Sequence, residues 1–141
     1  MIVRAAGVVI AHRDGGVTRL LLLRNRKRDD WGFAKGHCDP GESNFSAAKR
    51  ELAEETGIVN CTILPGFRFV SRYYLPAGPR AGQLKHVVYY LGTVASTEVL
   101  LSSEHSEFAW AAPEDCEKLL PFGELQTLAR DAFAFLAETK F

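Results

Sequence analysis

The sequence predicts an α/β or α+β fold, a sandwich in which a mixed β-sheet is covered by helices on both faces. Two observations carry this: runs rich in β-branched and aromatic residues recur along most of the chain, and two substantial helical segments are interleaved with them. A third is that 141 residues with 47% hydrophobic content support one core but not two. Residues 1–141 are therefore expected to form a single domain.

The elements follow in order. VRAAGVVIAHR and VTRLLLLRN are apolar runs separated by Asp14-Gly15-Gly16, a turn signal, and read as an antiparallel pair. RNRKRDD is a charge-dense loop, followed by WGFAKGH and then the DPGE turn, where Pro40-Gly41 stops any regular element. A helix is expected from about Asn44 to Thr56, with Ser43 as N-cap and Gly57 as its left-handed stop. Phe45, Ala48 and Leu52 are its expected core positions. NCTILPGFRFVSRYYLP and KHVVYYLGTV supply two or three more strands, joined by the Pro/Gly-rich PAGPRAG. EFAWAA is a short extended piece, PEDCEKLL a short helix with Pro113 in its first turn, and GELQTLARDAFAFLAETK a closing helix. Leu125, Leu128, Ala132, Phe135 and Leu136 recur there at helical spacing and should face the sheet. Trp31 and Trp110 are assigned to packing.

Composition excludes several classes of function. Lys+Arg and Asp+Glu balance at 17 each, so no global field draws the chain to nucleic acid or to an anionic membrane. Cys38, Cys61 and Cys116 are widely spaced, odd in number and free of any C-x-x-C pair, as expected of reduced thiols. The N-terminal apolar run is broken by His12 and Arg13, too short for a membrane span and without a cleavage signature. A cytoplasmic monomer acting on a small molecule, with no membrane partner, is the expectation.

One stretch departs from local propensity. Glu51, Glu54 and Glu55 crowd the last turn of the 44–56 helix, and at about 100° per residue they share a face. Like charges at these spacings repel, and the negative end of the helix dipole repels them further, each by a few tenths of a kcal/mol. A solvated acidic face would explain a charge run by itself. A divalent cation reverses the sign of the interaction, because Mg2+ takes hard oxygen ligands.

The flanking residues favour the cation. GHCDPGESNFSAAKRELAEETGI, residues 36–58, reads G-x5-E-x7-R-E-U-x-E-E-x-G-U, where U is aliphatic: nine specified positions over 23 residues. This resembles the signature of the Nudix hydrolases, which cleave a nucleoside diphosphate linked to another moiety. The resemblance implies a Nudix-type α/β/α sandwich and a Mg2+ or Mn2+ cofactor. DDWGFAKGHCDPGE and LSSEHSEFAWAAPEDCEKLL, with GFRFVSRYYLP and KHVVYYLGTV, are similar to segments of the asymmetric diadenosine tetraphosphate hydrolases within that family, so the likeness covers nearly the whole chain.

By that resemblance, Glu51 and Glu55 bind metal with the Gly36 carbonyl, and Glu54 joins them or holds a metal-bound water. Arg50 and Glu42 resemble the ion pair that orients the catalytic glutamates. Glu104 matches a glutamate that contacts metal or the attacking water, and is the leading alternative to the helix glutamates as general base. Lys35 and His37 match residues facing the polyphosphate. Arg24, Arg26, Lys27, Arg28 and Lys85 are further candidate cations. Tyr73, Tyr89 and Phe108 align with aromatics lining the nucleoside and phosphate pocket, although strand alternation forbids Tyr89 and Tyr90 from both facing it. Two other readings stand beside dinucleotide hydrolysis: an RNA 5′-end pyrophosphohydrolase, which WGFAKG also resembles, and a nucleotide-binding module, which should have lost metal ligands. Ala34, where many relatives have proline, and the long LPAGPRAGQ loop bear on substrate range.

Overall fold

Residues 2–141 are described in a computed structural model. The first two strands, β1 (Ile2–Asp14) and β2 (Val17–Asn25), form the expected antiparallel hairpin. Its turn places Gly15 and Gly16 at φ 57° and 80°, a region that glycine enters without a Cβ penalty. Then come β3 (Trp31–Gly32), β4 (Ala34–His37), α1 (Asn44–Thr56), β5 (Thr62–Ile63), β6 (Phe69–Tyr74), β7 (Leu84–Thr93), β8 (His105–Ala111), α2 (Pro113–Leu119) and α3 (Glu124–Ala137).

All eight strands belong to one sheet, with β3, β2, β1, β7 and β5 in spatial order; β4 also pairs with β1, β6 with β7 and β8 with β2. The β1–β7 pair is parallel, from Ile2↔Leu84 to Ala11↔Thr93, and the other pairs are antiparallel, so the sheet is mixed. β1 sits at its centre and is apolar on both faces. Ala5, Val9 and Ala11 point into the core shared with α2 and α3, through Cys116, Leu128, Ala132 and Leu136. Ala6, Val8 and Ile10 point into the core shared with α1, through Ala47, Ala48 and Leu52. The predicted sandwich is present, with Leu125 and Phe135 packed at the margin of the α3 core. Among the described residues, no helix is long and apolar enough to cross a membrane.

Two local readings need correction. WGFAKGH is given no regular element from the sequence, and it supplies β3 and β4. Gly, Ala, Lys and His have weak strand propensity; they pair because Ala5–Val8 would otherwise leave the open edge of β1 without partners. Phe45 reads as core, yet it is 43% exposed and meets Tyr90 edge to face, with ring centroids 5.4 Å apart.

The β1–β4 pair depends on one glycine. A Cβ on Gly7 would collide with the Ala34 carbonyl oxygen and the Lys35 Cβ, both in β4. Gly7→Ala is expected to lower stability by about 1–3 kcal/mol, the usual cost of overpacking. Chemical denaturation checks this, and an unchanged midpoint would mean that β4 has room to move.

Candidate active site

α1 begins and ends as its sequence dictates. The Ser43 hydroxyl accepts from the Ser46 N–H at 3.1 Å, and Gly57, at φ 73°, donates its N–H to the Ala53 carbonyl at 2.9 Å. The last carbonyls are capped from elsewhere: Leu100 N–H donates to Thr56 O at 2.9 Å, and Ser102 N–H to Glu55 O at 3.1 Å. The segment that satisfies the helix end therefore leads directly to Glu104.

Arg50 gathers the acids of the preceding loop and of the helix. Its Nε and Nη2 donate to the two oxygens of Glu42, each at 2.9 Å, and its Nη1 to Glu51 at 2.9 Å and Glu54 at 3.2 Å. Nη2 also reaches the His37 carbonyl at 2.9 Å. The bidentate guanidinium, with the Asp39 N–H, pulls the Glu42 carboxyl down to about 2. The loop between Gly36 and Glu42 is thus folded back onto the helix.

Glu55 has no share in this network. It is 5% exposed, and its Oε1 accepts from the Lys35 N–H at 3.0 Å. Burial pushes its carboxyl up to about 8, opposed by that hydrogen bond. Glu51 is also pushed up by burial, against the pull of Arg50. The Glu51 carboxylate lies where a Cβ on Gly36 would stand, so Gly36 is what lets acid and strand backbone meet.

Beside Glu55 opens a cleft of about 490 Å3. Gly36, His37 and Glu104 line its acidic end, and Lys35, Lys85 and Arg28 add positive charge. Burial lowers the ammonium of Lys35, and burial with Lys35 and Arg28 nearby lowers that of Lys85 to about 8. Burial, then Lys85 and Lys35, likewise lowers His37. Tyr73 lines the wall with Lys85 Nζ 5.9 Å from its ring centroid, and the Ser71 hydroxyl donates to Glu124 at 2.7 Å across the floor. A pocket uniting a buried and an exposed carboxylate, ammonium groups and an open aromatic ring suits a polyanion carrying a ring, bound with a cation.

The NUDIX domain family matches residues 1–131. The chain belongs to the Nudix hydrolase family. It is 34% identical to the asymmetrical bis(5′-nucleosyl)-tetraphosphatase of Mus musculus over 150 residues, covering 99% of each chain. It is 31% identical to an RNA pyrophosphohydrolase of Erythrobacter litoralis over 134 residues, covering 84% of this chain and 82% of the relative. Among solved structures, the binary complex of a C. elegans Ap4A hydrolase superposes with a TM-score of 0.87 at 35% identity, covering 97% and 99% of the two chains.

Within this Nudix fold, the residues singled out from the sequence divide by position. Glu55, Glu104, Gly36, Lys35, His37, Tyr73, Lys85 and Tyr89 converge on the cleft, while Glu51 abuts it at Gly36. Glu42, Arg50 and Glu54 stand behind it as the ion-pair network. Phe108 pairs with Leu23 on β2, is 41% exposed, and is not among the residues lining the cleft. Tyr89 edges the cleft but is only 2% exposed, packed edge to face on Phe33, so its ring offers no free face. Of the 24–28 cluster, Arg28 alone lines the cleft; Arg24 is held by Asp29 and Glu107, and Arg26 by the Ser103 and His105 carbonyls. Trp31 both packs on the core and lines the cleft.

Ser71, Glu124 and His105 are the residues that sequence reasoning missed. His105 presents a buried Nδ1 with no partner, and follows Glu104 directly. No local pattern marks Ser71 and Glu124, which meet only through the register of β6 and the start of α3. Among the described residues, no three acidic or imidazole side chains already stand in a metal cage. The donors nonetheless fit a hard divalent ion, since Glu51, Glu55, Glu104 and the Gly36 carbonyl all present oxygen.

Glu55 supplies a test in the metal-free protein. Its carboxyl is raised from 4.5 to about 8 in the fold, so the stability of the protonated form is fully present below 4.5 and is lost as pH rises through about 8. Glu55→Gln keeps an acceptor for the Lys35 N–H and removes the charge. Its melting temperature should exceed that of the metal-free parent at pH 8, by roughly 2–8 °C for each kcal/mol recovered, and the gap should close near pH 5. Equal melting temperatures at pH 8 would show that the buried charge is already compensated.

Proposed function

We propose that this Nudix hydrolase cleaves dinucleoside polyphosphates, with diadenosine tetraphosphate as the preferred substrate and ATP and AMP as products. The observation that carries the reading is one cleft in which the buried Glu55 carboxyl, the exposed Glu104, two ammonium groups and an exposed tyrosine face a common space. The names of the mouse and nematode relatives, matched over nearly their full lengths, favour this substrate over an RNA end.

The chain's own groups divide the work. Glu51, Glu55, Glu104 and the Gly36 carbonyl are the proposed holders of Mg2+ or Mn2+, which when bound supplies charge neutralisation at the phosphates and activation of water. Lys35, His37, Arg28 and Lys85 hold phosphate oxygens along the cleft. Glu104 faces the cleft, whereas Glu54 leans on Arg50 outside it, so Glu104 is the favoured group to take the proton of the attacking water. Arg50 acts through others: by fixing Glu42, Glu51 and the His37 carbonyl it sets where the acids stand. One nucleoside gripped against Tyr73 with a run of phosphates beyond it makes the cut asymmetric.

Product analysis tests this directly. Incubation of the purified protein with Mg2+ and diadenosine tetraphosphate should yield equimolar ATP and AMP on anion-exchange chromatography, with Glu55→Gln slower by about 100-fold or more. Two ADP as the main product, or faster release of pyrophosphate from triphosphate RNA, would reject the assignment.

The two tyrosines should separate. Tyr73 is 39% exposed and free to stack, so Tyr73→Ala should cost roughly 1–3 kcal/mol, read mainly in KM, with Tyr73→Phe close to the parent. Tyr89→Ala should instead open a cavity and destabilise the free protein by about 3–5 kcal/mol. KM and Tm measured on each variant would expose a reversal of these roles.

A further inference from the structure

The sheet has a second concavity on the face turned away from the cleft. Strand alternation sends Ser71, Tyr73, Lys85 and Val87 into the cleft, and sends Arg72 and His86 the opposite way. With Arg4, Arg68 and Asn44 they line a cavity of about 170 Å3 beside the first turn of α1, floored by Val88.

Register makes this cavity unusual. Arg4 on β1 pairs with His86 on β7, and His86 pairs with Arg72 on β6, so three basic side chains lie in a row across three adjacent strands. Arg68, just before β6, adds to the row, and no acidic side chain lines the cavity. Among the described residues, Arg68 and Arg72 make no side-chain hydrogen bond or ion pair. Arg4 donates only to neutral oxygens, Glu42 O at 3.1 Å and Asn44 Oδ1 at 2.7 Å. His86 holds a buried Nε2 that has no partner.

We propose that this cavity is a second oxyanion site, which takes the phosphate group of a small phosphate-bearing anion. Arg4, Arg68 and Arg72 supply charge and forked donors, a geometry that matches phosphate oxygens, and His86 donates from Nε2. The volume admits a phosphate group but not the nucleoside and phosphate chain for which the cleft has room. The site is independent of the catalytic reading, because it shares no side chain with the cleft.

NMR of the His86 imidazole tests it. Inorganic phosphate is titrated into the metal-free protein at fixed pH, with ionic strength held constant by sodium chloride. A saturable shift is expected, weakened at least tenfold in the Arg68→Gln/Arg72→Gln double variant and retained in Lys85→Gln, which removes a cation from the cleft. Both arginines are exposed, so the fold should survive; Arg68→Lys/Arg72→Lys, which keeps the charge, should recover part of the affinity. Adenosine 5′-monophosphate in place of phosphate shows whether an ester is taken as well as the free ion. A response that chloride reproduces, or one that survives in the double glutamine variant, would overturn the proposal.

Discussion

The guanidinium of Arg50 is the interaction on which the site depends. Four carboxylates and a backbone carbonyl meet this one cation, so acids from a loop and from two turns of a helix are held close despite their repulsion. Glu42 stands on the loop and Glu54 on the helix, yet they share a counter-charge. The arrangement leaves Glu55 as the one acid of the helix face with no such partner, sunk against the Lys35 N–H. Arg50 neutralises the acids that build the scaffold, whereas the Glu55 carboxyl that faces the cleft is held by a backbone N–H and pushed up by burial.

Close approach of backbone to backbone is the second condition. Gly7 brings β4 against β1, and Gly36 lets the Glu51 carboxylate reach β4. Both glycines matter for what they lack, not for their torsion freedom. Together they put the N–H of Lys35 and the carbonyl side of Gly36 within reach of α1, on a strand that exists only because β1 has an edge to fill.

What the sequence shows about this protein follows from the range of each interaction. The hairpin, both long helices and the caps of α1 depend on residues a few positions apart, and their bounds are legible. So is the Arg50 network, because Glu42, Arg50, Glu51 and Glu54 fall within one short pattern. β3 and β4 are hidden, since their residues have little strand preference and pair for reasons that lie in β1. Ser71 and Glu124 stay invisible because 53 positions separate two groups that touch.

The capping of α1 by residues 100–102 makes chain length itself a functional variable. Thr56 O and Glu55 O fix Leu100 and Ser102, and the Ser102 carbonyl in turn receives the His105 N–H at 3.2 Å. Glu104 therefore sits at a set number of residues from the helix end, and an insertion between 100 and 105 would swing it out of the cleft without touching any acid. The hairpin tip between Leu75 and Gln83 is closed by its own backbone pair, Leu75 N–H to Gln83 O at 2.9 Å and Gly82 N–H to Leu75 O at 2.8 Å, and carries no such measure. Extra residues belong there. A lineage or an engineer has that loop to lengthen, whereas the ruler running from the helix to Glu104 admits changes of residue but not of count.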